Sequence, residues 1–414
     1  MKALIYKVQP VKWAACLLAR RFRPQCVYGP LGGLSLHDVP PPKLPGDDWA
    51  LCRTVLGGIC GTDLSIIHQR QPIDSILQCF TTLPMTLGHE NVAVVEQCGP
   101  AMDKAWLGKT VTVEPTLCCR ARGIEPPCPS CARGQYGACE NFSANGLGRY
   151  HLPPGTSIGY CGAVGGTWSE FFPAHVSQLI EKPAAIPNTV AILTDPLACS
   201  LHAVLRANLS GVQRVLIYGC GILGLGAVWS LRRVGYTGKI GVIARHAHQA
   251  KLANQLGASE IISLPRGAVE RHERIARQTG GRLVTGRFHT CMISGGYDVV
   301  FDCVGSAGSV QDSLKWTAAR GQVVLLASGH ARGADLTPLW FSELTVIGSY
   351  GRSVENFGGA VHTYNLTHRF MQQDLACLQG LLTHTFGLGQ YRQAMLAASD
   401  KGGQGSIKVA FSFE

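Results

Sequence analysis

Gly219-Cys220-Gly221-Ile222-Leu223-Gly224 is the stretch whose reading decides the fold. It follows the apolar run Val215-Leu216-Ile217-Tyr218 and precedes a helical pattern over residues 227–234, so G-x-G-x-x-G lies between a strand and a helix. In a chain with 50 glycines the bare pattern arises easily by chance, and the flanks are what make it informative. There the first glycine permits a tight turn, the second admits a pyrophosphate against the backbone, and the third lets helix and strand approach closely. Gly219, Gly221, Ile222, Leu223 and Gly224 are therefore the candidate dinucleotide-binding residues.

The next strand ends at Ala244, 20 residues after Gly224, where a ribose 2′-hydroxyl usually meets Asp or Glu. No carboxylate stands there. Arg245 follows, and a guanidinium suits a 2′-phosphate through bidentate, charge-assisted bonds. The expectation is NADP in preference to NAD; the competing reading leaves Arg245 as a solvated side chain.

Outward from this motif, apolar strands alternate with longer helical stretches from Asp195 to about Gly329, at residues 240–243, 298–301 and 323–327. That rhythm implies a doubly wound parallel sheet. Before it, to about Pro187, short strands and Gly/Pro-rich turns read as a mostly β domain. The tail ends in Ser406-Ile407-Lys408-Val409-Ala410-Phe411, a strand expected to rejoin the first domain. The expected boundaries are 1–190, 191–335 and 336–414.

A length of 414 residues with 46% hydrophobic content suits packed α/β structure. The apolar run at residues 13–19 is interrupted by Arg20, Arg21 and Arg23 before any cleavage pattern, so no signal peptide is expected. No stretch reaches the roughly 18 apolar residues of a membrane span. Without a secretory signal, 17 cysteines read as reduced thiols and metal ligands, which points to the cytoplasm. The formal charge of +11 is scattered, and the clusters at residues 20–23 and 271–277 lack interleaved aromatics. They read as solvated faces, with neither nucleic acid nor membrane as partner.

Cys128, Cys131 and Cys139 form C-x2-C-x7-C in a Gly/Pro-rich loop, close enough for three thiolates to share a tetrahedral ion. Cys118 or Cys119, upstream of residues 120–127, would complete the set; the alternative is a group of buried reduced thiols. Cys60, in Gly57-Gly58-Ile59-Cys60-Gly61-Thr62-Asp63-Leu64, and His89, in Gly88-His89-Glu90, say little separately.

Together, in this order and followed by the dinucleotide fingerprint, these motifs resemble the zinc-containing medium-chain dehydrogenase family, in its polyol and threonine dehydrogenase-like branch. Further matches are Gly165-Gly166-Thr167-Trp168-Ser169-Glu170-Phe171-Phe172, Asp195-Pro196-Leu197-Ala198, Asp298-Val299-Val300-Phe301-Asp302-Cys303-Val304-Gly305 and Ile407-Lys408-Val409. The resemblance implies a GroES-like, mostly β catalytic domain plus a Rossmann sheet. It implies that Cys60 and His89 bind catalytic zinc, with Asp195 in the third protein-ligand position and Glu90 behind it or as an alternate ligand. Thr62 matches the hydroxyl that relays the substrate proton, and Asp63 organises hydrogen bonds beneath the site. Ser65 replaces a relay histidine of some relatives, with His68 a possible substitute. Cys119 is the implied fourth ligand, with Cys128, Cys131 and Cys139, of a structural zinc, giving two zinc ions per chain.

The implied activity is reversible, NAD(P)-linked oxidation of a small alcohol or polyol by a homodimer or homotetramer. The competing readings are a metal-free reductase of activated alkenes or quinones on the same fold, and a non-enzymatic NADP-binding protein.

Overall fold

The computed structural model describes residues 1–70, 75–327 and 331–414. Gly329, where the sequence reading ends the strand–helix alternation, lies outside the described residues. The chain forms two compact units, Met1–Asp195 with Gly351–Glu414, and Pro196–Tyr350.

In the second unit six parallel strands lie in the order Glu260–Ile262, Lys239–Ile243, Arg214–Tyr218, Tyr297–Asp302, Thr317–Leu325, Thr345–Gly348. The order reverses beside Arg214–Tyr218, the switch point where an open α/β sheet leaves a crevice at its carboxyl ends. Val215, Leu216 and Ile217 are completely buried. A parallel strand covered on both faces has no polar side to show, hence the uninterrupted apolar run. Helix Ile222–Arg233 follows immediately. Gly219 has φ +102°, and a Cβ at Gly224 would collide with the carbonyl oxygen of Gly219, so the turn and the close approach both require glycine.

This unit extends to Tyr350, beyond the expected boundary at 335, because Thr345–Gly348 pairs parallel with Thr317–Leu325 as a sixth strand. The sequence pattern also does not reveal a small antiparallel ribbon, Arg282–Thr285 with Cys291–Ser294.

In the first unit the central strand Trp49–Gly58 pairs antiparallel with Asn91–Cys98, Phe171–His175 and Lys408–Ser412. One apolar core gathers Trp49, Val95, Val111 and Phe172; another gathers Leu4, Leu87, Trp168 and Phe411. Ala410 lies opposite Gly58, so the tail strand brings Lys408 to the strand end that leads into Cys60. Close packing explains the glycines here as well. A Cβ at Gly57 would strike the Thr167 carbonyl, and one at Gly58 would strike the Glu90 side chain.

Candidate metal centres and dinucleotide site

Cys60 precedes helix Gly61–Ile67, and the cap is built from the sequence itself: Asp63 Oδ2 accepts the Cys60 backbone N–H at 2.9 Å. Asp63 is fully buried. Its Oδ1 accepts from Tyr160 Oη at 3.0 Å and lies 3.6 Å from His89 Nδ1. A carboxylate behind an imidazole fixes its tautomer and orientation, leaving the other ring nitrogen to face a ligand. Thr62 Oγ1 stands 3.7 Å from Cys60 Sγ on the exposed side of the helix start.

The donor atoms of Cys60, His89 and Glu90 lie within 4.8 Å of one another. Thiolate, imidazole and carboxylate oxygen are the donor types that zinc takes in open catalytic sites, so the residues present fit that ion. The carboxylate gathered here is Glu90; Asp195, expected in the third position, lies close enough for its charge to act on His89 and Glu90, with its Oδ1 already bonded. Its Oδ1 accepts from Tyr364 Oη at 2.6 Å and pairs with Arg352. Burial opposes ionisation of Asp195, but the Arg352 guanidinium, His89 and the Tyr364 hydroxyl outweigh it and hold the carboxyl below its usual range.

Glu90 in turn pairs with Lys408, both side chains being about 1% exposed, and Lys408 Nζ also donates to the Ile59 carbonyl at 3.0 Å. Burial pulls the Lys408 ammonium down, and the Glu90 carboxylate more than compensates, so its proton is held above the normal range. Ser65 lies on the same helix as Thr62, and His68 caps that helix. His68 Nε2 is tied to Tyr28 Oη at 2.9 Å, and burial followed by the charges of Arg70 and Arg20 pushes its pKa to about 4, leaving it neutral near pH 7.

The four thiols of Cys119, Cys128, Cys131 and Cys139 also converge within 4.8 Å. The backbone N–H of Cys128 and the Asn141 amide donate to Cys119 Sγ at 3.4 and 3.2 Å; Cys131 N and Glu140 N donate to Cys128 Sγ at 3.5 Å. Donors aimed at sulfur stabilise thiolate, the form that binds metal, so this set fits a closed zinc site. Of the two upstream candidates, Cys119 is the one within the set; Cys118 caps the short helix Cys119–Arg122. The lobe is fastened by Gly137 N to the Arg352 carbonyl and Val354 N to the Gly134 carbonyl, at 3.1 and 2.9 Å.

In the other unit, Gly221 caps helix Ile222–Arg233 and Ile222 and Leu223 form its first turn, so backbone N–H groups gather at the fingerprint. Arg245 is exposed in the loop after Lys239–Ile243, next to buried Ala244.

Arg352, Tyr364 and Lys408 have no role in the sequence reading. Lys408 stands in a quoted motif, Ile407-Lys408-Val409, but its partners are far off in sequence, 349 residues in the case of Ile59. Arg352 and Tyr364 lie 157 and 169 residues from Asp195, beyond any local pattern.

Residues 46–184 match the family model described as the alcohol dehydrogenase GroES-like domain, and residues 223–365 match that of zinc-binding dehydrogenase. The chain belongs to the zinc-containing medium-chain dehydrogenase family. It is 26% identical to L-idonate 5-dehydrogenase of Vitis vinifera, over 86% of this chain and 85% of that one. It is 27% identical to L-threonine 3-dehydrogenase of Xanthomonas campestris pv. campestris, over 87% and 92%. The structure of 2R,3R-butanediol dehydrogenase from Bacillus subtilis superposes with a TM-score of 0.71 at 20% identity, covering 100% of this chain and 99% of the other, which shows the shared fold. Among solved neighbours one is bound to NADP and another to NADH. This medium-chain dehydrogenase is thus a zinc-linked oxidoreductase that exchanges hydride between an alcohol or polyol, or the matching carbonyl, and a nicotinamide cofactor. The metal-free reductase and the non-enzymatic reading are not favoured.

Proposed function

We propose that this dehydrogenase holds two zinc ions per chain, prefers NADP to NAD and oxidises a small polyol in the cytoplasm as a homodimer or homotetramer. The observation that carries the reading is the convergence of Cys60, His89 and Glu90 over the buried Asp63. The domain assignment proposed with it is a GroES-like catalytic domain over residues 1–190, a dinucleotide domain over 191–350 and a returning segment over 351–414, the sixth strand supporting a second boundary later than 335.

A zinc ion held by Cys60, His89 and a carboxylate supplies Lewis acidity that lowers the pKa of a substrate hydroxyl. The chain does the rest. Asp63 orients His89, and Thr62 takes up the substrate proton at its hydroxyl and passes it outward from the exposed helix start. Lys408 fixes the direction of Glu90, while Arg352 and Tyr364 hold Asp195 ionised, where it reaches the centre through water rather than directly. Gly219, Gly221, Ile222, Leu223 and Gly224 bind the pyrophosphate, and Arg245 the 2′-phosphate. Cys119, Cys128, Cys131 and Cys139 hold the second ion for folding. The gathering of Cys119, Cys128, Cys131 and Cys139 as metal ligands supports a reducing compartment. The test is a panel of polyols and simple alcohols read by NADP and NAD reduction; turnover confined to metal-free alkene or quinone substrates would overturn the reading.

Cofactor choice gives one expected result. Charge-assisted bonds from Arg245 should favour NADP over NAD by roughly tenfold to a hundredfold in kcat/KM, and Arg245→Ala should remove most of that difference. Equal kinetics with both cofactors, unchanged by the substitution, would mean that the guanidinium serves solvent alone.

The lobe gives another. Cys131→Ser should lower the thermal midpoint and the zinc content by one ion, because structural zinc contributes folding free energy directly. Stably folded protein with one zinc and normal melting would contradict the structural role. The bond between Gly137 and Arg352 predicts a secondary fall in kcat, smaller than the fall for Cys60→Ser.

A further inference from the structure

Residues 7–33 interrupt the first hairpin, whose strands Lys2–Tyr6 and Leu34–Asp38 pair antiparallel on either side of them. The insert contains helix Pro10–Ala19 and the short turn Pro24–Tyr28. It is fastened by its inner face: Cys16, Val27 and Tyr28 are buried, and Tyr28 Oη bonds His68 and Ser399 at 2.9 and 2.7 Å.

Its outer face is the unusual one. Val11, Leu18 and Phe22 are 84%, 67% and 88% exposed, and Ala14 and Ala15 are exposed between them. The spacing of 7 puts Val11 and Leu18 on one helical stripe with Ala14 and Ala15 between them, and Phe22 follows in the turn past the helix end, its N–H bonded to the Ala19 carbonyl at 3.0 Å. A helix packed on a soluble protein keeps that face polar; here it is apolar. Lys12 flanks the stripe on the helix, and Arg20, Arg21 and Arg23, all exposed, follow in the turn beyond its end. The first 37 residues carry Lys2, Lys7, Lys12, Arg20, Arg21 and Arg23 and no carboxylate, Asp38 being the first acid. Beside the helix lies a cleft of about 230 Å³ whose walls include Lys7, Lys12, Trp13, Ser35 and His37.

We propose that this insert seats the enzyme on an anionic phospholipid surface, the stripe entering the headgroup–acyl boundary and the cleft receiving a lipid phosphate. An apolar stripe flanked by Lys and Arg, with no acid among them, is the pattern of helices that lie in the membrane interface. A second copy of the chain would bring like charges together, and a nucleic acid would have no use for the stripe. At 10 residues the helix is too short to span, and among the described residues no helix is long and apolar enough to cross a membrane. This revises the expectation that residues 20–23 form a solvated face without a membrane partner. It is independent of the substrate.

The experiment is sedimentation of the full-length enzyme with vesicles of phosphatidylcholine alone or with about 30 mole per cent phosphatidylglycerol, where each cation near the anionic surface is worth about a fivefold gain in partition. The anionic vesicles should bind at least about tenfold more protein, and added salt should reduce the difference. Leu18→Ser/Phe22→Ser should fall to the level of neutral vesicles, and Lys12→Glu/Arg21→Glu should fall by about tenfold or more. Both pairs replace exposed side chains, and unchanged turnover of a soluble alcohol checks that the fold is intact. Equal binding to the two kinds of vesicle, or by wild type and both variants, overturns the proposal. No binding to either kind of vesicle also overturns it. Complete release by millimolar inorganic phosphate at constant ionic strength also overturns it, assigning the cleft to a free anion.

Discussion

Cys60→Ser should lower alcohol oxidation by about a thousandfold or more, while binding of NADPH stays within about threefold. The separation is expected because Cys60 sits with His89 and Glu90 in one compact unit, whereas the fingerprint glycines belong to the other. His89→Ala should be as severe, since it removes a donor and leaves the Asp63 carboxylate buried without the imidazole. Steady-state turnover and fluorescence titration with NADPH read the two effects separately. If Cys60→Ser or His89→Ala retained a tenth of wild-type turnover or more, the metal would have no part in the chemical step.

The second large effect concerns stability. Lys408 and Glu90 are about 1% exposed and paired, so Lys408→Met should strand a carboxylate in the interior and destabilise the catalytic unit by about 3–5 kcal/mol. A buried ion pair need not contribute much over an apolar replacement, yet removing one partner alone is costly. The double variant Lys408→Met/Glu90→Gln should therefore melt above the single Lys408→Met, a non-additivity that a double-mutant cycle measures. A shift below about 1 kcal/mol for Lys408→Met, or strict additivity, would show that Glu90 finds water or another partner.

Local chemistry was what the amino-acid order displayed best. The thiol spacing of Cys128, Cys131 and Cys139 selects a metal lobe, and the glycine pattern at 219–224 between strand and helix selects the parallel sheet, because each depends on neighbours within a few residues. The choice between Cys118 and Cys119 needed the fold: both thiols are buried in the lobe and Cys118 touches Cys131, but it is Cys119 whose sulfur lies within 4.8 Å of all three other thiols of the set. Asp195 shows the limit more sharply. Its motif suggests a metal ligand; Arg352 and Tyr364, which bond its Oδ1, arrive from more than 150 residues away, and no sequence period reports such partners. The strand Thr345–Gly348 was hidden for a different reason. Three of its four residues are at least a third exposed or lack a side chain, so it lacks the buried apolar run that marked the inner strands. The insert at residues 7–33 looked like scattered charge until burial showed that its apolar positions face outward.

The central claim is that two separate zinc centres exist and that only the one at Cys60 and His89 is used in catalysis. Zinc analysis of purified wild type, Cys60→Ser and Cys131→Ser, each assayed with an alcohol substrate, tests it most directly. The account predicts two ions in the wild type and one in each variant, with turnover lost in Cys60→Ser and partly kept in Cys131→Ser. One ion or none in the wild type, or full turnover in a Cys60→Ser protein that has lost a zinc, would contradict it.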